Sequence, residues 1–277
     1  MISKLLVVAG AGCYPRLVVE GAKRAGIGCV DVVAIKGSTD RATVRAADRS
    51  FAFAIGKVAS CINWIGEQSY DGVILAGQVN PLSLFRCRFE SQVREWLNEL
   101  PVKNAHTVFG KIIFELEKRG VKVLPASSYM EDNLPGVGVL TERGFTELEN
   151  SDLKRAIEVA DDVGRHDVGQ SVLVKSGMVL AVEAFEGTNA AIRRAGRLGK
   201  GSLLFKAARD GHDMRFDIPV VGIQTLKNMR KAGVTALAFQ ANRLIMLDRE
   251  KVIAFANRHS IAIAGIDSGL TGAPVRP

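Results

Sequence analysis

Apolar and polar positions follow two different periods along this chain, and the switches between them lay out its elements. Lys4 to Ala9 is a continuous apolar run, the pattern of a strand covered on both faces. Gly10-Ala11-Gly12-Cys13-Tyr14-Pro15 follows as a turn, and Val18, Val19, Ala22 and Ala25 then recur at helical spacing up to Gly26. Cys29 to Ile35 and Gly72 to Ala76 are further buried strands, the second running into Gly77-Gln78-Val79-Asn80-Pro81. Thr107 to Arg119 predicts a helix closed by Gly120, and Val121 to Leu124 a strand. Strands alternating with helices imply parallel βαβ units in a doubly wound sheet.

The rhythm breaks between Pro125 and Ser151, a stretch holding Ser127-Ser128, Pro135, Gly136 and Gly138. It reads as a crossing between domains. The division expected is a Rossmann-like domain over 1–126, a linker over 127–151 and a mixed α/β domain over 152–277. Ser151 is the expected cap of a helix over Asp152 to about Gly164, with Leu153, Ala156, Ile157 and Ala160 on one face. An apolar hairpin from Ser171 to Ala184 turns at Ser176-Gly177 and delivers Glu186-Gly187-Thr188, where a helix opens with Thr188 as the expected N-cap. Strands follow over Ser202–Lys206 and Ile218–Val221, then a helix from Leu226 to Ala232 stopped by Gly233. A strand pair is expected over Ala236 to Leu247, turning near Asn242-Arg243. Asp248 is then expected to cap a helix reaching His259, and Ile261 to Ala264 is the last strand. The tail Thr271 to Pro277 reads as disordered.

Composition narrows the function classes. With 277 residues, 47% hydrophobic and 24% charged, the chain has the balance of a soluble globular protein. Its apolar opening is too short to span a membrane and reads as a strand rather than a leader. A net charge of +8 favours an anionic partner. The basic residues are scattered and aromatics are only 6%, so stacking platforms for nucleic acid are not evident and nucleic acid is not the expected partner. Cys13, Cys29, Cys61 and Cys87 lack metal-ligand spacing and read as free thiols of a cytoplasmic protein.

The candidate chemistry is that of an anion site. A helix start offers unpaired N–H groups and partial positive charge, and Arg193 and Arg194 follow Thr188 on the same helix. That makes a seat for a phosphate or pyrophosphate, or else an ordinary capped helix with a basic face. Lys206, closing a strand, is placed to neutralise phosphate or simply to snorkel. Gln170 is a candidate for hydrogen bonding a base or sugar, or a loop cap. Gly10 and Gly12 after the first strand suggest a dinucleotide loop, but Pro15 stands where the third glycine belongs and the second strand ends Lys36-Gly37 without an acid. What remains is a loop open to a polar ligand, with Gly77 and Gln78 expected beside it. Asp217, at the lip of the strand with Pro219, is a candidate Mg²⁺ ligand through oxygen, and Asp213 would point the same way in an extended strand. The bland alternative is a solvated aspartate. Of His106, His166, His212 and His259, none forms a zinc pair, and His212 is the best of the set.

Several runs together resemble one family. They are Asp167-Val168-Gly169-Gln170-Ser171, Val182-Glu183-Ala184 into Glu186-Gly187-Thr188, Ile192-Arg193-Arg194-Ala195-Gly196, Asp213-Met214-Arg215-Phe216-Asp217-Ile218-Pro219 and Leu247-Asp248-Arg249-Glu250. With the glycine loop and Pro15 they resemble the LpxI-type UDP-2,3-diacylglucosamine pyrophosphatases of lipid A biosynthesis. The resemblance implies cleavage to UMP and 2,3-diacylglucosamine 1-phosphate, with Mg²⁺ and with Asp217 as the critical residue. It also implies a Rossmann-like domain and a C-terminal α/β domain with the ligand in a cleft between them. Expected substrate-binding residues are Gly10, Gly12, Gly77, Gln78, Gln170, Glu186, Gly187, Thr188, Arg193, Arg194 and Lys206; Asp213 joins Asp217 as a metal ligand. Expected partners are a lipid-linked nucleotide, a second copy of the chain, and transiently the cytosolic face of the inner membrane. The chain departs from the family pattern at Asn104-Ala105-His106, where Gly-Asp-Asp is frequent, at Asn189, where Asp is frequent, and at Arg209-Asp210. Those changes motivate an alternative, a non-catalytic relative that binds nucleotide-sugar or lipid. An NAD-dependent oxidoreductase is a further alternative at the glycine loop.

Overall fold

A computed structural model describes residues 2–79, 87–102, 105–208, 213–216 and 218–267. The chain divides into two compact units, Met1–Glu131 with Asp213–Asp217, and Asp132–His212 with Ile218–Pro277.

In the first unit, β1 (Lys4–Ala9), β2 (Cys29–Ile35), β3 (Ser50–Phe53) and β4 (Gly72–Ala76) form a parallel sheet in the order β3-β2-β1-β4. Their apolar runs fit, because a parallel sheet is covered on both faces. Helix α1 (Tyr14–Arg24) packs against β1, β2 and β4. Buried residues of α3 (Val58–Gly66), α4 (Ser91–Glu99) and α5 (Ala105–Glu117) join Leu6, Val33, Val73 and Leu75 in one core. A short helix, α2 (Arg41–Ala46), precedes β3. The strand expected over Val121 to Leu124 is reduced to one bridge, Val73 to Val123, beside β4. At the same level of the sheet, in β2, buried Asp31 accepts from Arg49 at 2.6 Å and from Tyr70 at 2.7 Å.

The second unit is a mixed sheet with helices on both faces. Strands β8 (Ser202–Lys206), β10 (Val234–Gln240) and β12 (Ala262–Ile266) run parallel in its centre. The hairpin β6 (Ser171–Lys175) and β7 (Met178–Val182) flanks β8, and β5 (Gly138–Val139) flanks β12, both antiparallel. On one face Leu173, Leu204, Leu237 and Ile263 pack with Ala191 and Ile192 of α7 (Thr188–Leu198), Leu226 and Met229 of α8 (Ile223–Ala232) and Val252 of α9 (Arg249–Arg258). On the other, Val172, Phe205, Ala236 and Ala238 pack with Leu153 and Ala156 of α6 (Glu147–Arg165). Within 127–151 lie a 3₁₀ turn over Glu131–Asn133, β5 and the first turn of α6.

Three expectations from sequence are corrected. Helix α6 begins one turn before Ser151: Thr146 caps it, its hydroxyl accepting from the Glu149 amide at 3.2 Å while Glu149 accepts from the Thr146 amide at 2.9 Å. The reciprocal pair outcompetes a lone serine. Second, β10 and β11 (Ile245–Met246) do not pair. β10 joins the large sheet, whereas β11 pairs parallel with β9 (Val220–Val221). Third, Asp248 stands at the N-cap of α9 as expected, but at φ 49° and with no side-chain cap bond among the described residues.

The hairpin turn falls at Ser176 and Gly177, both with positive φ, as a tight two-residue turn requires. Asp152 of α6, buried to 1% exposure, accepts from the amides of Ser176 at 3.0 Å and Gly177 at 2.7 Å. This carboxylate ties the hairpin to the helix below it. Asp152→Ala removes the acceptor of two amides and is expected to cost about 3 kcal/mol. Urea denaturation of the full chain gives the cost, and hydrogen exchange should accelerate at both amides; unchanged exchange there would contradict the tie.

Candidate functional site

In the first unit the two expected loops meet. The Gly10 amide donates to Ala76 O at 2.8 Å, and Ala11 and Gln78 exchange backbone bonds at 2.7 and 3.0 Å. A Cβ on Gly10 would lie 2.5 Å from Gln78 O, so only glycine allows this approach. Gly12, Gly77 and Gln78 are thereby gathered at the carboxyl ends of the neighbouring strands β1 and β4. Pro15 falls in the first turn of α1.

In the second unit Ser171, opening β6, is the register partner of Lys206, closing β8. Opposed residues point to one face, here the face that carries α7. The Lys206 side chain is buried at 4% exposure. Its Nζ donates to Thr188 Oγ1 at 2.7 Å and to Ser171 Oγ at 3.4 Å, and lies 3.7 Å from Glu183 Oε2. The Thr188 hydroxyl in turn donates to Glu183 Oε2 at 2.8 Å. One hydroxyl therefore links amine and carboxylate. Gly169 makes this possible by close approach: a Cβ there would lie 2.1 Å from Glu183 O.

These contacts correct the expected role of Thr188. The N-cap of α7 is Gly187, at φ 80°, and no side chain caps the helix. Thr188 is committed to Lys206 and Glu183 instead. The Ala190 and Ala191 amides turn back to Gly187 O, whereas those of Thr188 and Asn189 take no acceptor among the described residues. Asn189 Oδ1 is buried without a partner among the described residues.

Arg193 is exposed and has no acidic partner among the described residues. Arg194 folds back, donating to Val182 O and to Glu186 Oε1, each at 2.7 Å. That guanidinium holds the Glu186 carboxyl below the usual glutamate value. Gln170 accepts from the Ala207 amide at 3.0 Å through its carbonyl. It lines a cavity of 150 Å³ with Gln240, outside the cluster.

Asp217, His212, Asn104, Arg209 and Asp210 lie outside the described residues, as do Asn80, Pro81 and the tail from Thr271. Asp213 is not in a strand: 214–216 form a turn, so the two-residue argument that aligned it with Asp217 does not apply. Its carboxylate is gripped by Arg215, with Nε at 2.9 Å from Oδ1 and a terminal nitrogen at 2.7 Å from Oδ2. Arg215 also pairs with Glu117 at 2.6 Å. A carboxylate so occupied does not fit an expected metal ligand, and among the described residues no group of three or more His, Cys, Asp or Glu is placed to hold a metal ion. Phe216 stacks on Phe109 at 5.5 Å and packs by His106 at 5.4 Å, whose Nδ1 is buried and has no partner among the described residues.

Sequence reasoning missed Glu183 and Ser171 as members of the Lys206 cluster. The hairpin pattern placed both near its open end, but their meeting with Lys206 depends on cross-strand register. It also missed Gln240, whose signal was only its place at the end of an apolar strand.

The model of the LpxI N-terminal domain matches residues 4–133, and that of the LpxI C-terminal domain matches 136–264. The UDP-2,3-diacylglucosamine pyrophosphatase LpxI of Caulobacter vibrioides is 28% identical over 276 residues, covering 95% of this chain and 98% of that protein. Among solved structures, the biotin carboxylase subunit of pyruvate carboxylase aligns with 67% of this chain and 39% of its own, at 15% identity and a TM-score of 0.29. Phosphoribosylglycinamide synthetase from Anaerococcus prevotii aligns with 64% of this chain and 38% of its own, at 11% identity and a TM-score of 0.28. Similarities that slight bear on neither fold nor chemistry.

Hydrogen bonding by Arg215 holds the Asp213 carboxyl below its usual value of 3.8. A depressed folded value means that the stabilisation is full above 3.8 and fades as pH falls through the folded-state value. Arg215→Leu should therefore raise the Asp213 midpoint, read by carbon-13 NMR of the carboxyl. Its stability deficit against wild type should shrink under acid conditions. An unmoved midpoint would contradict the grip.

Proposed function

The chain belongs to the LpxI family, and from that premise we propose that it hydrolyses the phosphoanhydride of UDP-2,3-diacylglucosamine to UMP and 2,3-diacylglucosamine 1-phosphate in lipid A biosynthesis. One observation carries the site: the buried Lys206 amine meets the first turn of α7 at the carboxyl end of β8. Water adds across the P–O–P bridge. One phosphorus gains the new oxygen, the bridging oxygen leaves with the other phosphoryl group, and the proton balance is a net release into water. Negative charge grows on the phosphoryl oxygens, and fixed donors aimed at it lower the barrier. The Thr188 and Asn189 amides, Lys206 and the exposed Arg193 are the donors we assign, with Gly187 shaping the turn. Glu183 holds the Thr188 hydroxyl toward itself, which leaves that oxygen's lone pairs to Lys206. Arg194 and Glu186, paired to one another, frame the approach.

We read the order β3-β2-β1-β4 of the first unit as Rossmann-like. Ligands of open parallel sheets sit outside the carboxyl ends where strand order reverses, here between β1 and β4. Gly10, Gly12, Gly77 and Gln78 gather there and are assigned to polar parts of the substrate. Metal dependence is part of the proposal through Asp217, the residue the family resemblance names; bound Mg²⁺ supplies charge neutralisation at a diphosphate. No described helix is long and apolar enough to cross a membrane. The net charge of +8 suits transient contact with an anionic leaflet, where an acylated substrate resides. A homodimer completes the reading.

Purified protein given UDP-2,3-diacylglucosamine and Mg²⁺ should release UMP. Asp217→Ala, or chelation by EDTA, should cut the rate at least a hundredfold, and added Mg²⁺ should restore the chelated enzyme. Binding of substrate without UMP release would sink the hydrolase reading; full rate after chelation would sink the metal.

A further inference from the structure

The 150 Å³ cavity of the second unit belongs to none of the roles assigned above. It opens at the ends of β8 and β10 and the start of β6, and α6 covers it. Alternation along the strands places Gln170, Ala207 and Gln240 on the α6 face, in line with Val172, Phe205 and Ala238. Lys206 and Ser171 occupy the opposite face. The cavity and the Lys206 cluster thus flank one sheet edge from its two sides.

Size and lining narrow the occupant. A pocket for a whole drug-sized ligand holds about 300–1,000 Å³, so 150 Å³ takes one ring rather than a complete nucleotide. Ala160, Gly164, Ala207 and Ala208 give small, uncharged walls that suit a flat face. Arg165 and Asp161 also line the cavity, but both are exposed and Arg165 pairs with Asp162 at 2.8 Å, so the buried part of the lining carries no charge. Polar recognition centres on the Gln240 carboxamide, with Gln170 beside it in the lining. The Gln240 oxygen is buried and has no partner among the described residues. Such an orphan carries an unmet desolvation cost, a deficit that a ligand N–H would remove. A carboxamide presents an acceptor and a donor side by side, which matches a ring edge where N–H and C=O are neighbours.

Resting on the hydrolase reading, we propose that this cavity is the pyrimidine subsite. Uracil enters it edge-on, the Gln240 carboxamide pairs with its N3–H and a flanking carbonyl, and the diphosphate crosses the strand edge to Lys206 and the start of α7. Gln240 then sets nucleotide specificity.

The test is calorimetric titration of the full-length protein with UMP, uridine, CMP, AMP, ribose 5-phosphate and inorganic phosphate. UMP should bind, uridine should retain part of that affinity, and CMP, AMP and ribose 5-phosphate should each be at least tenfold weaker than UMP. Gln240→Leu should weaken UMP at least tenfold and lower kcat/KM for UDP-2,3-diacylglucosamine mainly through KM. Ala160→Leu, which fills the cavity and leaves both carboxamides in place, should do the same. Thermal unfolding of each variant confirms that it is folded. Ribose 5-phosphate binding as tightly as UMP, or UMP affinity unchanged in both folded variants, would overturn the subsite. Wild-type hydrolysis with unchanged KM in both variants would overturn it too, while leaving the hydrolase reading intact. Base-selective binding lost in both variants, with no hydrolysis by wild type, would keep the subsite and reject the hydrolase.

Discussion

Removing an ammonium group from water costs several kcal/mol unless good partners surround it. Lys206 is buried at the end of β8, and that requirement organises the second unit around it. Its partners come from three places: Ser171 at the start of β6, Glu183 just past β7, and Thr188 at the first position of α7. The hairpin turn anchored by Asp152, the close approach at Gly169 and the tight entry at Gly187 all serve to bring those three together. The same arrangement sets the open amides of a helix start beside a buried cation. That combination is the proposed anion site, and a diphosphate is the anion that the proposed reaction would bring to it.

A second constraint governs the first unit. Two loops leave neighbouring parallel strands and must touch backbone to backbone, which fixes glycine at position 10. The resulting platform lacks the third glycine and the acidic strand end of a dinucleotide site. It holds Gln78 where a polar group of a ligand can meet it. The Arg215 grip on Asp213 adds a rigid turn ahead of Asp217, with Phe216 packed on Phe109.

How much of this was legible depended on how local each signal was. Continuous apolar runs gave β1, β2, β4 and β8, because burial on both faces leaves no alternation to misread. The Ser176-Gly177 turn was legible from residue type alone. The start of α6 was misplaced although Thr146 with Glu149 carries the capping-box spacing, because Ser151 stands nearer the apolar face. β11 was paired with the wrong strand because two residues of apolar sequence say nothing about a partner 25 positions upstream. In the Lys206 cluster, Thr188 and Lys206 were named from sequence. Their partners were not, since Ser171 meets Lys206 only through register. The alignment of Asp213 with Asp217 was drawn from strand periodicity, and 214–216 is a turn.

The central claim is that the buried Lys206 amine works on the diphosphate rather than merely filling the edge of a sheet. The direct measurement is kcat/KM for UMP release from UDP-2,3-diacylglucosamine by Lys206→Met, with circular dichroism confirming the fold. The account predicts a loss of about 10²–10³-fold, with the stability change far too small to leave the protein unfolded under assay conditions. A folded variant that releases UMP within threefold of the wild-type rate would contradict it.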